Sequence, residues 1–195
     1  MYFILASGSP RRKELFSLIS QNFNILIPDT DESFPASCAI ADAAAQVAAR
    51  KARRAFSLSE GSRIIVAADT VVTLDGSVLG KPSSYDDARA ALTLLSGRKH
   101  TVITGVGVIA AKGSKVLAEE VFFEETQVEF YPLSSEEIER YIATGEPMDK
   151  AGSYGIQGYG SLFVKSIFGD YFNVVGLPVA ALNRKITPIL SLFEK

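Results

Sequence analysis

Cysteine and histidine are almost missing from this chain: its 195 residues hold one of each, Cys38 and His100. A single cysteine excludes an intramolecular disulfide and a cysteine-rich zinc site. A single histidine excludes a multi-histidine metal centre. A Cys38–His100 nucleophilic pair has no support, because Cys38 sits in an undistinguished Pro35-Ala36-Ser37-Cys38-Ala39 segment. Excess charge is missing too. Twenty Lys and Arg stand against 22 Asp and Glu, a formal charge of −2. That balance, with no basic stripe interleaved with aromatics, speaks against a nucleic-acid binder. No apolar run approaches the ~18–20 residues of a membrane span. The apolar run at residues 2–6 is shorter than the ~7–15 residues of a signal-peptide core and follows no base. The expected setting is the cytoplasm, with no membrane partner. Hydrolytic chemistry would fall to Asp, Glu, Lys and Arg, which points to metal-assisted or phosphate work.

With 47% apolar and 22% charged residues, the composition is that of a soluble globular protein. Against a typical ~100–200 residues per domain, the length fits one domain or two tightly joined lobes. Strands are expected at residues 3–6, 23–27, 63–74, 78–79 and 101–110, with one bent strand or a pair over 116–131. Helices are expected after Ser9, over 40–56, 86–95, 135–144 and 178–193, the last kinked or split by Pro188. Leu15, Phe16, Leu18 and Ile19 make one apolar face on the first of these. Asp75-Gly76 signals a hairpin, Ser134 to Glu137 a capping box, and residues 161–168 and 171–175 a hairpin over Gly169-Asp170. Strands and helices mix along the whole length, and hairpins break a parallel pattern. The fold class is α/β with a mixed sheet.

Several segments carry chemistry. Ser7-Gly8-Ser9-Pro10-Arg11-Arg12-Lys13 follows a strand and opens a helix, with Ser9 as N-cap and Pro10 in the first turn. Bases are unfavourable at a helix N-terminus by ~0.3–1 kcal/mol each, so Arg11 and Arg12 there suggest a bound anion. Asp69 is a carboxylate inside the apolar run 64–72, expensive unless paired or metal-bound. Gly80-Lys81-Pro82 presents a lysine on a rigid turn, and Asp31-Glu32 lie in an acidic loop. Glycines at 152, 155, 158 and 160 permit close backbone approach to a ligand, but their spacing is not the dinucleotide fingerprint. His100, at a loop-to-strand entry, reads as structural.

In order along the chain, Ser7 to Arg12, Asp31-Glu32, Lys51-Ala52, Ala68-Asp69-Thr70-Val71, Gly80-Lys81-Pro82, Leu95 to His100, Thr144-Gly145-Glu146-Pro147 and Asp149 to Gly158 resemble the Maf family of nucleoside triphosphate pyrophosphatases. The resemblance spans residues 3–180 and implies one Maf-like domain over 1–195. The implied fold is an elongated mixed sheet flanked by helices, with two lobes around a cleft, similar to the inosine triphosphatase fold. Asp69-Thr70 matches the dTTP/UTP branch, where a second branch carries Asp-Gln. The resemblance assigns catalysis to Asp69 and base selection to Arg12, Thr70 and Gln157. Read with the residues themselves, it gives phosphate binding to Ser7, Ser9, Arg11, Arg12, Lys51 and Lys81. Glu32 and Asp69 would hold Mg²⁺ or Mn²⁺ together with the substrate phosphates. An aspartate of ordinary pKa, ~3.9, is a poor base, so Asp69 would align a water that the cation acidifies. For Thr70 to read a base, strand geometry would have to break just after Asp69, and Arg12, Thr70 and Gln157 would meet in one pocket. The family implies a homodimer. The rival implication is a nucleotide-binding regulator of septum formation that does not hydrolyse; pyrophosphate release from UTP separates the two.

Overall fold

The computed structural model describes residues 1–35 and 38–193. Seven strands run β1 (Tyr2–Leu5), β2 (Phe23–Ile25), β3 (Ser62–Leu74), β4 (Ser77–Leu79), β5 (Lys99–Lys112), β6 (Lys115–Phe130) and β7 (Val164–Phe168). Six α-helices run α1 (Pro10–Phe16), α2 (Ile40–Ser57), α3 (Tyr85–Leu95), α4 (Ser135–Ala143), α5 (Tyr171–Val175) and α6 (Val179–Leu190). The sheet order is β2-β1-β3-β5-β6-β7, with β4 on β3. β1 pairs parallel with both β2 and β3, while β3–β4 and β6–β7 are antiparallel. The mixed α/β class read from the sequence is the one observed. Among the described residues, no helix is long and apolar enough to cross a membrane.

The chain forms two compact units: residues 1–69, 104–124 and 176–195, and residues 70–103 and 125–175. β3, β5 and β6 contribute residues to both. In the first unit, α2 buries an alanine face that includes Ala44, Ala48, Ala52 and Ala55. That face rests on bare backbone. A Cβ on Gly105 would fall 2.2 Å from the Ala44 carbonyl carbon, and one on Gly107 would fall 2.9 Å from the Ala48 oxygen. Ile4, Ile65, Ala67 and Ile109 complete this core. Arg63, 2% exposed, turns its guanidinium onto the carbonyls of Phe56, Ser59, Gly61 and Gly113 and lies 4.8 Å over the Phe56 ring. It gathers carbonyls from the C-terminal end of α2, the loop after it and the β5–β6 turn.

In the second unit, α3 and α4 pack Ala88, Leu92, Leu95, Ile138, Tyr141 and Ile142 against Val72, Val102, Val128 and Phe130. Phe130 meets His100, Tyr154 and Phe163 edge to face, with ring centroids 4.9, 4.7 and 5.9 Å away. His100 is buried and bonded to the Tyr154 hydroxyl at 2.8 Å, so its role is structural, as its position in sequence implied. The capping box at Ser134–Glu137 is complete. Asp75 and Gly76, with φ of 50° and 76°, make the β3–β4 turn.

Four local expectations are corrected or resolved. α1 stops at Phe16, and Leu18 is 67% exposed, so the apolar face ends with Leu15 and Phe16. Residues 171–175 are helical and form no hairpin with β7. Asp170 accepts the Phe172 N–H at 2.8 Å, and buried Asn173 donates to the Val102 carbonyl at 3.0 Å and the Thr126 hydroxyl at 2.9 Å. The local Asp170 bond and the tertiary bonds of Asn173 together override the strand preference of Tyr-Phe-Asn-Val-Val. Pro188 does not split α6, which continues to Leu190. β3 runs unbroken through Asp69-Thr70, so the expected break in strand geometry is not there.

Candidate active site

The loop after β1 organises itself. Ser7 Oγ accepts the Ser9 N–H at 3.2 Å and Arg12 Nη1 at 3.4 Å, and Ser9 Oγ caps α1 through the Arg12 N–H at 3.4 Å. Arg12 Nε donates to the Gly176 carbonyl at 2.8 Å, which fixes the plane of the guanidinium. Burial lowers the Arg12 pKa, Asp69 opposes that effect, and Arg11 adds to it. Arg11 is half-buried beside it.

Lys51 is the centre of the arrangement. It leaves the alanine face of α2, so its backbone position is set by the seat on Gly105 and Gly107. Its Nζ lies 2.8 Å from Asp69 Oδ1 and 3.0 Å from Glu32 Oε1. Lys51 and Asp69 are nearly covered, at 11% and 13% side-chain exposure, whereas Glu32 is 62% exposed. The buried aspartate is thus paired, which answers the cost its position raised. Asp31 turns away from this centre: both its oxygens are taken by Ser33, whose backbone N–H and hydroxyl lower its pKa.

Glu32, Lys51, Asp69, Arg12, Ser7 and Ser9 therefore lie within one unit, four of them tied by charge and the serines holding the loop. Among the described residues no cluster of three or more His, Cys, Asp or Glu exists. The donor set still fits a hard cation. The two carboxylates meet at the Lys51 ammonium, and they are the ligand type Mg²⁺ typically takes, one or two at a time, with phosphates and water completing its shell.

Thr70, Lys81 and Gln157 belong to the second unit. Thr70 is half-buried and Lys81 is exposed. Lys81 follows Gly80, whose carbonyl accepts the Gly152 N–H at 3.0 Å. Gln157 is half-buried in a segment that composition alone leaves as a loop; the structure resolves it into short 3-10 turns at Glu146–Asp149, Ala151–Ser153 and Gly158–Phe163. Sequence reading missed what frames that segment. The Tyr141 hydroxyl and the Glu146 carboxylate sit against it, and the only available signals were Glu146 beside a left-handed Gly145 and the glycine spacing that follows.

A mixed α/β chain that gathers a lysine, an arginine and two carboxylates within one unit carries the charges that a phosphate-bearing substrate calls for. The chain belongs to the Maf family: the model described as "Maf-like protein" matches residues 2–188. A dTTP/UTP pyrophosphatase of Bacillus cereus (strain B4264) is 48% identical over 183 residues, covering 94% of this chain and 93% of that protein. One from Bacillus cytotoxicus is 47% identical over 184 residues, with 94% and 93% covered. Among solved structures, the nucleoside-triphosphatase / dITP/XTP pyrophosphatase of Mycobacterium abscessus aligns over 97% of each chain at 14% identity and a TM-score of 0.45.

Proposed function

We propose that this chain is a nucleoside triphosphate pyrophosphatase that hydrolyses dTTP and UTP to the monophosphate and pyrophosphate. The observation that carries this reading is Lys51 joined to both Asp69 and Glu32 in a chain 48% identical, almost end to end, to relatives named for that reaction. In this reading a water attacks the α-phosphorus and pyrophosphate leaves with the electrons of the broken P–O bond. Asp69 orients the water, whose proton passes to solvent. Arg11, Arg12, Lys51 and Lys81, with the Ser7 and Ser9 hydroxyls, meet the phosphate oxygens and the charge that develops on the leaving group. Glu32 and Asp69 are the residues that would hold Mg²⁺ or Mn²⁺, which when bound acidifies water and neutralises phosphate charge. Arg12 and Gln157 are assigned to base selection; the amide of Gln157 offers a donor and an acceptor for a pyrimidine edge. Thr70 follows Asp69 on the unbroken β3, where neighbouring side chains alternate between faces, so it is not given that role. The chain is taken to act as one catalytic domain, as a homodimer, in the cytoplasm. The mean hydropathy of +0.17 and exposed side chains such as Leu162 and Phe168 support an interface between copies.

The test is pyrophosphate release from dTTP, UTP, CTP, ATP and GTP with Mg²⁺ and Mn²⁺ varied. Rapid turnover of dTTP and UTP with slow turnover of purine nucleotides is expected, since larger rings would clash and strand polar groups. Equal rates on ATP and UTP would remove the pyrimidine assignment. No release under any metal condition would leave a nucleotide-binding protein.

A further inference from the structure

One feature of the second unit is not used by the reaction as described. The Glu146 carboxylate is half-buried and points into backbone. Its Oε2 accepts the Tyr159 N–H at 2.9 Å, and its Oε1 accepts the Gly160 N–H at 3.2 Å and the Tyr141 hydroxyl at 3.0 Å. The Tyr141 hydroxyl in turn accepts the Gly155 N–H at 3.1 Å. One tyrosine–glutamate pair therefore holds the backbone on both sides of Gln157, at position 155 before it and at 159 and 160 after it.

Glu146 is itself immobilised. Gly145 adopts φ 74°, the Glu146 N–H donates to the Thr144 hydroxyl at 3.2 Å, and Lys150 Nζ donates to the Glu146 carbonyl at 2.7 Å. The glycines are shaped to this carboxylate. A Cβ on Gly158 would fall 2.6 Å from Glu146 Oε2, and one on Gly160 would fall 2.4 Å from the Gly155 carbonyl and 2.9 Å from the Tyr141 hydroxyl. Ionised acceptors make hydrogen bonds roughly twice as strong as neutral ones, and a side chain positioned for selectivity must be held to within about 0.5 Å. The glycines supply none of that rigidity themselves, so the clamp adds it where Gln157 sits.

We infer that Glu146, with Tyr141 as its relay, is a positioning residue for base selection: it fixes the turn that presents Gln157. This rests on the assignment of Gln157 to the base. It explains why a chain handling a polyanion keeps a carboxylate in this segment, because both of its oxygens are turned onto N–H and O–H donors. It also turns the spacing of glycines 155, 158 and 160 from general flexibility into a fitted cradle.

The test compares Glu146→Gln, Tyr141→Phe, Gln157→Ala and the double variant Glu146→Gln/Gln157→Ala, using kcat and KM for UTP and ATP and a thermal melt of each protein. Glu146→Gln sets an amide N–H₂ against a backbone donor, while Tyr141→Phe keeps the ring in the core and carries the test if Glu146→Gln melts early. Each should lower the UTP-over-ATP ratio of kcat/KM by about tenfold, mostly through KM for UTP, with kcat falling less. Added to Gln157→Ala, the Glu146 change should lower the ratio no further, because both act through one side chain. A folded Glu146→Gln and Tyr141→Phe that keep the ratio while Gln157→Ala loses it would overturn the inference and leave the base assignment standing. So would additive losses in the double variant. A Gln157→Ala that keeps the ratio would instead overturn the base assignment, and the inference with it.

Discussion

Asp69 is paired with Lys51 at 2.8 Å, and an isosteric amide at position 69 removes its charge while keeping its size, which makes the charge itself testable. Asp69→Asn keeps the size and one acceptor but removes the anion; turnover of UTP should fall by roughly 10²-fold or more with the melt little changed, and near-normal turnover would end the catalytic assignment. Arg12→Ala and Lys81→Ala should each weaken UTP handling by about 1.5–3 kcal/mol in kcat/KM. Arg54→Ala, exposed and bonded only loosely to Ser57 at 3.5 Å, should leave it within about twofold; equal effects at all three positions would dissolve the charge set. His100 offers a different measurement. Burial, opposed by the nearby Arg98 backbone, lowers its pKa from 6.5 to about 4. The unfolded chain takes up this proton below 6.5 and the folded one only near 4, so the contribution is complete above 6.5 and is lost as pH falls through that window. At ~1.4 kcal/mol per pKa unit the loss approaches about 3 kcal/mol. Urea midpoints at pH 7 and 4.5 should separate, and less so in His100→Asn; identical separation in both would assign the effect to other groups.

At the scale of elements, what could be read in advance was what is decided locally. Ser9 with Pro10, the Ser134–Glu137 box and Asp75-Gly76 each settle a boundary within four residues, and each holds in the structure. Residues 171–175 were misread because Asn173 is held by Val102 and Thr126, 71 and 47 positions away, and nothing nearby in sequence announces those partners. Arg63 reads as an ordinary base entering a strand; its four carbonyl partners exist only once the end of α2 and the β5–β6 turn come together around it. The parts of the candidate site were legible as motifs, yet the bond of Lys51 to both carboxylates was not, because three separate elements create it. The seat of α2 on β5 gives the sharpest element-level prediction. Gly105→Ala puts a methyl carbon 2.2 Å from helix backbone that cannot rotate away. Overpacking of this kind costs about 1–3 kcal/mol or more, and the displaced helix should also reduce kcat through Lys51. A Gly105→Ala protein with unchanged melt and turnover would contradict the packing described.

For the molecule as a whole, the homodimer has a direct measurement: light scattering at micromolar concentration should report about twice the 21.0 kDa chain mass, and a monomer alone would refute it. The other molecular consequence comes from the glycine seat. Four positions with no chemistry of their own, 44, 48, 105 and 107, decide the height at which α2 rides above β5 and so where Lys51 arrives. A side chain on Gly105 or Gly107 would lift the helix away from its partner. Across related sequences the four should vary in concert or stay small together. Lys51 is then the visible end of a packing arrangement set by glycine and alanine.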